Sequence, residues 1–78
     1  MIQIEERPLA GLRFIDLFCG IGGFHLALTS FGAECVFASD INKEACQVYQ
    51  NNFYIIPNGD INTVEIEDIP NHDIICAL

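Results

Sequence analysis

A glycine-rich segment carries the residues of this 78-residue sequence whose types and spacing best fit a chemical role. It runs from Asp16 to Phe24 and contains Gly20, Gly22 and Gly23. Because glycine has no Cβ, it lets the backbone turn sharply and lets a ligand approach the main chain closely. A turn of this kind that opens a helix also presents backbone N–H groups to a ligand. The segment is therefore predicted to form a ligand-binding turn.

Two aspartates farther along the chain indicate which ligand the turn would hold. Asp40 lies twenty residues after Gly20, where a carboxylate can accept hydrogen bonds from both hydroxyls of a ribose. Asp60 could accept a hydrogen bond from the exocyclic amine of an adenine. The apolar side chains that could lie against a flat ring are Phe18, Ile41 and Ile61. Together these groups predict a site for an adenine nucleoside.

Each of the three aspartates also has a purely structural explanation. Asp16 could cap a loop, and Asp60 could initiate an Asx-turn. Asp40 could begin the helix that Asn42 caps. However, all three follow predicted strands, and open α/β sheets bind their ligands at the carboxyl ends of strands. Their joint placement favours a binding role.

Strands and helices that alternate along the chain would position these groups. Leu12 to Leu17 and Cys35 to Ser39 are short apolar runs, as expected of strands buried on both faces. The residues between them predict a helix that ends before Gly32. Its core-facing stripe would consist of residues at helical spacing, namely Phe24, Ala27, Leu28 and Phe31.

A second helix is predicted after Asn42, which can cap it. Its apolar face would hold Ala45, Val48, Tyr49 and Phe53. Tyr54 to Ile56 and Ile74 to Ala77 are predicted as two further strands, with a short helical turn over Val64 to Ile69. Elements that alternate over such short connections imply right-handed crossovers and a parallel sheet. The fold class is α/β, with a parallel sheet of three to four strands and flanking helices.

The composition restricts the functions that the chain can perform. No apolar run reaches the length of about 18 residues that a membrane span needs, and Met1 to Pro8 is unlike a secretory signal, so we expect a soluble, cytoplasmic protein without membrane contact. Three basic residues against eleven acidic ones give a net charge of −8. A stand-alone DNA-binding protein needs Lys and Arg to displace phosphate counterions. Any contact with DNA must therefore come from another stretch of polypeptide.

A metal site is not expected. The four cysteines include no C-x-x-C pair and are expected to be reduced thiols. His25 and His72 are far apart in sequence, and neither has a second ligand at metal-binding spacing.

Four segments resemble parts of the cytosine-5 DNA methyltransferases, in particular the bacterial restriction-modification type. Phe14 to Phe24 resembles the first signature motif of that family. Ala38 to Asn42 resembles the second motif, and Gly59 to Ile61 the third. His72 to Ala77 is similar to the strand that leads into the family's catalytic loop. The similarity runs over essentially all 78 residues, which correspond to about the first quarter of such an enzyme.

The resemblance implies a partial Rossmann-like S-adenosylmethionine-dependent methyltransferase fold, with S-adenosylmethionine as the bound nucleoside. Phe18 would stack on the adenine, and Asp40 would hold the ribose. Asp60 and Ile61 would meet the adenine edge. Ile41 stands where family members often have an aromatic residue, so stacking on that side would be weaker.

The glycine-rich turn has a separate role in this resemblance. The backbone from Gly20 to Gly23 would lie along the methionine moiety, and Asp16 would order the turn. The implied cofactor-binding residues are Asp16, Phe18, Gly20, Ile21, Gly22, Gly23, Asp40, Ile41, Asp60 and Ile61.

The resemblance also implies that the sequence contains no catalytic residue. After Cys76 and Ala77 the family continues with a glycine and a Pro-Cys dipeptide, whose thiolate attacks C6 of a flipped cytosine, whereas Leu78 is the last residue here. Cys76 lies inside a predicted strand and is expected to be buried, so it is not that nucleophile. We therefore expect residues 1–78 to be a single, truncated N-terminal part of the catalytic domain, without a target-recognition domain.

The expected function is S-adenosylmethionine binding within an enzyme that methylates C5 of cytosine in a specific duplex DNA sequence. The chain would be inactive unless completed by the missing part, which could be a complementary C-terminal polypeptide and would contact the duplex DNA. A non-catalytic remnant or cofactor-binding module is an alternative. A fragment of a dinucleotide-binding oxidoreductase is another, because Gly20-x-Gly22 is typical of such turns, although His25 stands in place of the third glycine.

Overall fold

A three-stranded parallel sheet and two α-helices form the fold in the computed structural model, which describes residues 8–77. The strands are β1 (Arg13–Asp16), β2 (Glu34–Ala38) and β3 (Ile74–Cys76). The α-helices are α1 (Gly23–Ser30) and α2 (Lys43–Phe53), and two short 3₁₀ helices cover Ile61–Thr63 and Ile66–Asp68. The interpretation of Met1 to Pro8 concerns residues that, apart from Pro8, lie outside the described part of the chain, as does Leu78.

The sheet has the order β2-β1-β3, and both strand pairs are parallel. Asp16, the last residue of β1, pairs with Ala38 of β2 on one side and with Cys76 of β3 on the other. Because β1 is the central strand, its residues Phe14 and Ile15 are buried. The predicted α/β class and parallel sheet are confirmed.

Two apolar clusters form the core. One includes Phe14 of β1 and Cys76 of β3. The other includes Cys19 of the glycine-rich turn, Ala38 of β2 and Tyr49 of α2. The second cluster therefore joins the predicted ligand-binding turn to the helix that follows β2, and the predicted burial of Cys76 is confirmed.

The predicted core stripe of α1 is wrong for three of its four residues, because Ala27 is exposed as well as both phenylalanines. Phe24 and Phe31 are 39% and 44% exposed, and the side chain that α1 buries is His25. The His25 ring contacts Phe14 edge to face and stacks on Phe53, with ring centroids 5.8 and 3.9 Å apart. Because these partners lie on β1 and α2, the helix turns the His25 side toward the core and Phe24 toward solvent.

α2 follows its prediction closely. The Asn42 side chain accepts a hydrogen bond from the backbone N–H of Ala45 at 2.9 Å, so the predicted cap is confirmed. Tyr49 is fully buried and Phe53 is half-buried. The helix packs through the side that carries Tyr49 and Phe53. Val48, which was predicted on the same apolar face, is 42% exposed. The buried face of α2 is therefore narrower than predicted.

The strand predicted over Tyr54 to Ile56 does not form. Tyr54 adopts a left-handed conformation with φ 58° and ends α2 instead. Pro57 has no N–H to donate to a neighbouring strand. Pairing with the sheet therefore occurs at Asn58, which forms a single parallel bridge with Ser39.

The remaining predicted elements agree with the structure. The helical turn predicted over Val64 to Ile69 corresponds to the 3₁₀ helix at Ile66–Asp68, and the last predicted strand corresponds to β3. Within the described residues, the helices are too short or too polar to cross a membrane.

Candidate functional site

The sequence-predicted aspartates lie at one end of the sheet. Asp16 is the last residue of β1, and Asp40 follows β2. Asp60 follows the bridge between Ser39 and Asn58, which lies just beyond the end of β2. Because all these segments run in parallel, their carboxyl ends meet at the same edge, as expected of a ligand site in an open α/β sheet.

These strand ends enclose a cavity of about 260 Å³. The predicted site residues that line it are Phe18, Asp40, Ile41, Asp60 and Ile61. The cavity therefore brings together the aromatic side chain, the two carboxylates and the apolar side chains that the sequence analysis assigned to a nucleoside.

A second cavity, of about 480 Å³, lies along the glycine-rich turn. Phe18 lines both cavities, so the two cavities lie next to each other. Its lining also includes Gly20, Ile21 and Gly23, together with the exposed side of Phe24. A ligand larger than a nucleoside could extend across the turn here.

Asp40 connects the turn to the helix that follows β2. Its Oδ2 accepts a hydrogen bond from Gly20 N at 2.9 Å, and its Oδ1 accepts one from Asn42 N at 2.8 Å. Asp40 thus contacts Asn42, the residue that caps α2, in line with its structural explanation. A carboxylate has about four lone-pair positions, so Asp40 can still accept hydrogen bonds from a ligand.

Asp60 also has the structural role that the sequence allowed. Its Oδ1 accepts a hydrogen bond from Asn62 N at 2.9 Å, which forms the predicted Asx-turn and caps the first 3₁₀ helix. It lines the nucleoside-sized cavity as well, beside Ile61. For Asp60, therefore, the structural and the binding explanations are compatible.

The Asp16 carboxylate differs from those of Asp40 and Asp60 in its burial and its hydrogen bonding. Its side chain is 1% exposed, and among the described residues neither carboxylate oxygen has a hydrogen-bond partner, so the alternative in which it caps a loop is wrong. Burial and, second, the nearby Asp40 carboxylate raise the pKa of Asp16 from 3.8 to about 6. A buried carboxylate without a donor is costly. The site thus contains an acceptor that a proton or a donor would satisfy.

Ser39 holds the first half of the turn, a role that the sequence analysis missed. Its hydroxyl donates to Leu17 O at 2.6 Å, and its carbonyl oxygen accepts from Cys19 N at 2.9 Å. Its position directly before Asp40 at the end of an apolar strand was the available signal. No local sequence pattern indicates the hydrogen-bond partners of Ser39, because they lie about twenty residues earlier in the chain.

Gly22, which the sequence predicted as a cofactor-binding residue of the turn, holds the second half of the turn. It has φ 101° and caps α1, and it is buried. A methyl group at this position would overlap the Phe53 ring. No local pattern in the sequence predicts this contact, which joins the turn to the last residue of α2.

The thiols near the site are not activated. All four cysteines are free thiols in the structure, and Cys19 and Cys76 are buried. Burial raises the pKa of Cys19 to about 12 and also raises the pKa of Cys76. Neither thiol is ionised at neutral pH, as a nucleophile would need to be. Within residues 8–77, no group of three or more Cys, His, Asp or Glu side chains is arranged to hold a metal ion.

The chain is similar to known methyltransferases over nearly all of its length. The Type II methyltransferase M.HhaI from Haemophilus parahaemolyticus is 56% identical over 77 residues, which cover 99% of this chain and 24% of that protein. The Type II methyltransferase M.MspI from a Moraxella species is 48% identical, over 96% of this chain and 19% of that protein. The chain thus spans about a quarter or less of the length of these relatives.

A family match covers the whole of the sheet and both cavities. The sequence model of the C-5 cytosine-specific DNA methylases matches residues 12–77, which include β1, β2, β3 and every predicted site residue. The three-stranded sheet with its helices is a partial Rossmann-like methyltransferase fold. From the match and from these relatives it follows that the chain belongs to the family of C-5 cytosine-specific DNA methylases.

Proposed function

We propose that the chain is the S-adenosylmethionine-binding part of a DNA (cytosine-5-)-methyltransferase of a cytoplasmic restriction-modification system. The complete enzyme would transfer a methyl group to C5 of cytosine in a specific duplex DNA sequence. The observation that carries this proposal is the cavity at the strand ends, with Phe18, Asp40 and Asp60 around it. The oxidoreductase alternative is abandoned, because the chain belongs to a methylase family.

The cavities fit the parts of the cofactor. Asp40 would accept hydrogen bonds from the ribose hydroxyls, and Phe18 would stack on the adenine. Asp60 and Ile61 would meet the adenine edge, with Ile41 on the other face of the ring. Together the two cavities fall within the range of about 300 to 1,000 Å³ that is typical of small-molecule sites.

The second cavity would hold the amino-acid part of the cofactor. The backbone from Gly20 to Gly23, including Ile21, lies along it, with Gly22 packed behind. When bound, S-adenosylmethionine supplies a methyl group on a cationic sulfur. Asp16, whose buried carboxylate has no donor among the described residues, lies at the end of β1 and would favour positive charge in the ligand.

The chemistry at cytosine would come from the rest of the enzyme. C5 of cytosine becomes nucleophilic when a thiolate adds at C6, and the base must first be flipped out of the duplex. The buried thiols of Cys19 and Cys76 do not meet that requirement. We therefore propose that the 78-residue chain is inactive alone and that a longer or complementary C-terminal polypeptide provides the nucleophile and the contacts with duplex DNA.

The proposal is tested by calorimetric titration of the chain with S-adenosylhomocysteine, the demethylated cofactor. We expect saturable binding, and we expect Asp40→Ala to weaken it by roughly 1 to 3 kcal/mol, about 5- to 150-fold, because a charged hydrogen-bond acceptor is lost. Asp68→Ala is the matched control, since Asp68 is exposed and lies away from both cavities.

Circular dichroism must accompany the titration, because Asp40 also holds Gly20 and Asn42. Asp40→Asn is a milder second variant, since its amide keeps one oxygen acceptor. A chain that melts cooperatively but binds no S-adenosylhomocysteine at millimolar concentration would contradict the proposal. So would equal affinities of the Asp40 and Asp68 variants.

A further inference from the structure

The contact between Gly22 and Phe53 fixes the position of the turn relative to α2. If a Cβ were present at Gly22, it would lie within van der Waals overlap of Phe53 Cε2 and 2.7 Å from Phe53 Cζ. The ring therefore occupies the space next to the Gly22 backbone that any side chain would need. Gly22 also accepts the first hydrogen bond of α1, from Leu26 N at 2.9 Å. A displacement of Gly22 would thus move both the turn and the start of α1.

The Phe53 ring is itself held in place by two aromatic partners. It stacks on His25 with ring centroids 3.9 Å apart and an interplanar angle of 24°. It also packs against Tyr49, one helical turn earlier in α2, at 4.9 Å. His25 Nδ1 lies 2.6 Å from the Tyr49 hydroxyl, and both side chains are buried. The three rings form one cluster that joins α1 to α2 beneath the turn.

The two halves of the turn are restrained by different forces. Polar contacts from Ser39 and Asp40 hold the backbone of Cys19 and Gly20. At Gly22, by contrast, the restraint from another element is the Phe53 ring. The two chain neighbours of Gly22, Ile21 and Gly23, line the cavity along the turn and not the nucleoside-sized cavity. The nucleoside-sized cavity is lined by Asp40, which takes part in the polar contacts.

We infer that Phe53, supported by His25, is a positioning residue for the part of the ligand that extends beyond the nucleoside. Phe53 lines neither cavity and acts through the backbone of Gly22. This inference rests on the proposed cofactor function, because it assigns the cavity along the turn to the amino-acid part of S-adenosylmethionine. Loss of the ring would let the turn relax and would weaken contacts with that part, while the nucleoside contacts remain.

The test compares two ligands that differ in this part. S-adenosylhomocysteine has both the nucleoside and the amino-acid part, whereas 5′-methylthioadenosine keeps the nucleoside and lacks the amino acid. Binding of each is measured by NMR titration of the 78-residue chain and of Phe53→Ala, at a temperature where circular dichroism shows both folded. We expect Phe53→Ala to lose about tenfold in affinity for S-adenosylhomocysteine, because ligand contacts depend on sub-ångström placement, and less than about twofold for 5′-methylthioadenosine.

Two further variants separate positioning from general destabilisation. Phe31→Ala removes a phenylalanine that lies at the far end of α1 and is 44% exposed, and it should leave both affinities unchanged. Phe53→Leu keeps an apolar group against Gly22 and should restore most of the affinity for S-adenosylhomocysteine. If Phe53→Ala does not fold, Phe53→Val takes its place, because it also lacks the ring atoms nearest Gly22, and it should show the same selective loss.

The possible failures are distinguishable. If the unmodified chain binds S-adenosylhomocysteine but the folded Phe53→Ala variant loses affinity equally for both ligands, or for neither, the positioning role is wrong and the proposed function stands. If the folded, unmodified chain binds neither ligand, the proposed function fails, and this inference fails with it.

Discussion

Asp16 is buried at the end of β1 without a hydrogen-bond donor for either carboxylate oxygen among the described residues. Its pKa of about 6 lies above the ordinary value of 3.8. The folded chain therefore binds a proton at Asp16 more tightly than the unfolded chain does. The ionisable groups that face Asp16 are a carboxyl, three thiols and a phenol, namely Asp40, Cys19, Cys35, Cys76 and Tyr49. None of these can be a cation.

This shift predicts how stability depends on pH. Between about pH 4 and pH 6 the folded state holds more protons than the unfolded state, so the stability contributed by protonated Asp16 is present below pH 4 and is lost as pH rises through about 6. Asp16→Asn removes this titration. We expect the melting temperature of the variant, relative to that of the unmodified chain, to rise from pH 4 to pH 7, as followed by circular dichroism.

The exposed Asp68 provides the control for this experiment. Asp68→Asn makes the same chemical change at a solvent-exposed position, and its melting temperature is measured across the same pH range. If the difference in melting temperature between Asp16→Asn and the unmodified chain stayed constant from pH 4 to pH 7, Asp16 would not titrate as described.

Sequence patterns identified site residues where the signal was local. Asp40 and Asp60 each follow an apolar segment, and the structure places both on one cavity. Their hydrogen bonds to N–H groups two residues later are also local, which is why the Asx-turn could be foreseen. The isolation of the Asp16 carboxylate could not be foreseen, because it depends on every element that packs around the end of β1. The same holds for Phe53, whose partner Gly22 is distant in sequence.

At the level of elements, α2 begins at a side-chain cap that also adjoins the site. Asn42 Oδ1 accepts from Ala45 N, while the Asn42 backbone N–H donates to Asp40. Asn42→Ala should lower the free energy of unfolding by about 1 kcal/mol, because one backbone donor of the first turn loses its acceptor. Urea denaturation measures this change.

Asn52→Ala is the matched control for the cap. Asn52 is exposed near the end of α2, where alanine is at least as good a helix former as asparagine. The variant should therefore be neutral or slightly more stable. If both variants lost the same free energy of unfolding, the cap would make no special contribution.

The elements that sequence periodicity predicted wrongly have identifiable causes. The face of α1 was misassigned because the core stripe was placed on the phenylalanines, whereas the structure buries His25 against Tyr49 and Phe53. The strand expected over residues 54–56 failed because Tyr54 takes a left-handed conformation and Pro57 lacks a donor. β1 and β2 were predicted well because a short apolar run between turn residues is sufficient to specify a buried parallel strand.

The charge of the whole molecule predicts its behaviour toward DNA. Eleven acidic residues against three basic ones leave little positive charge to replace phosphate counterions. We expect the chain to show no mobility shift with duplex DNA at about 0.15 M salt, with or without S-adenosylhomocysteine. A tight complex under these conditions would contradict the proposal that the rest of the enzyme makes the contacts with DNA.

The bridge between Ser39 and Asn58 has a kinetic consequence for the whole molecule. The Asn58 N–H donates to Ala38 O at 2.9 Å, and the Asn58 carbonyl oxygen accepts from Asp40 N at 3.0 Å. These two hydrogen bonds join the segment from Asn58 to Asp60, which lines the cavity, to the end of β2. Local opening of so few bonds requires far less free energy than unfolding of the sheet. The segment from Asn58 to Asp60 can therefore separate from β2 while β1, β2 and β3 remain paired. We expect the residence time of a nucleoside to follow the local opening of this segment more closely than the global stability of the fold.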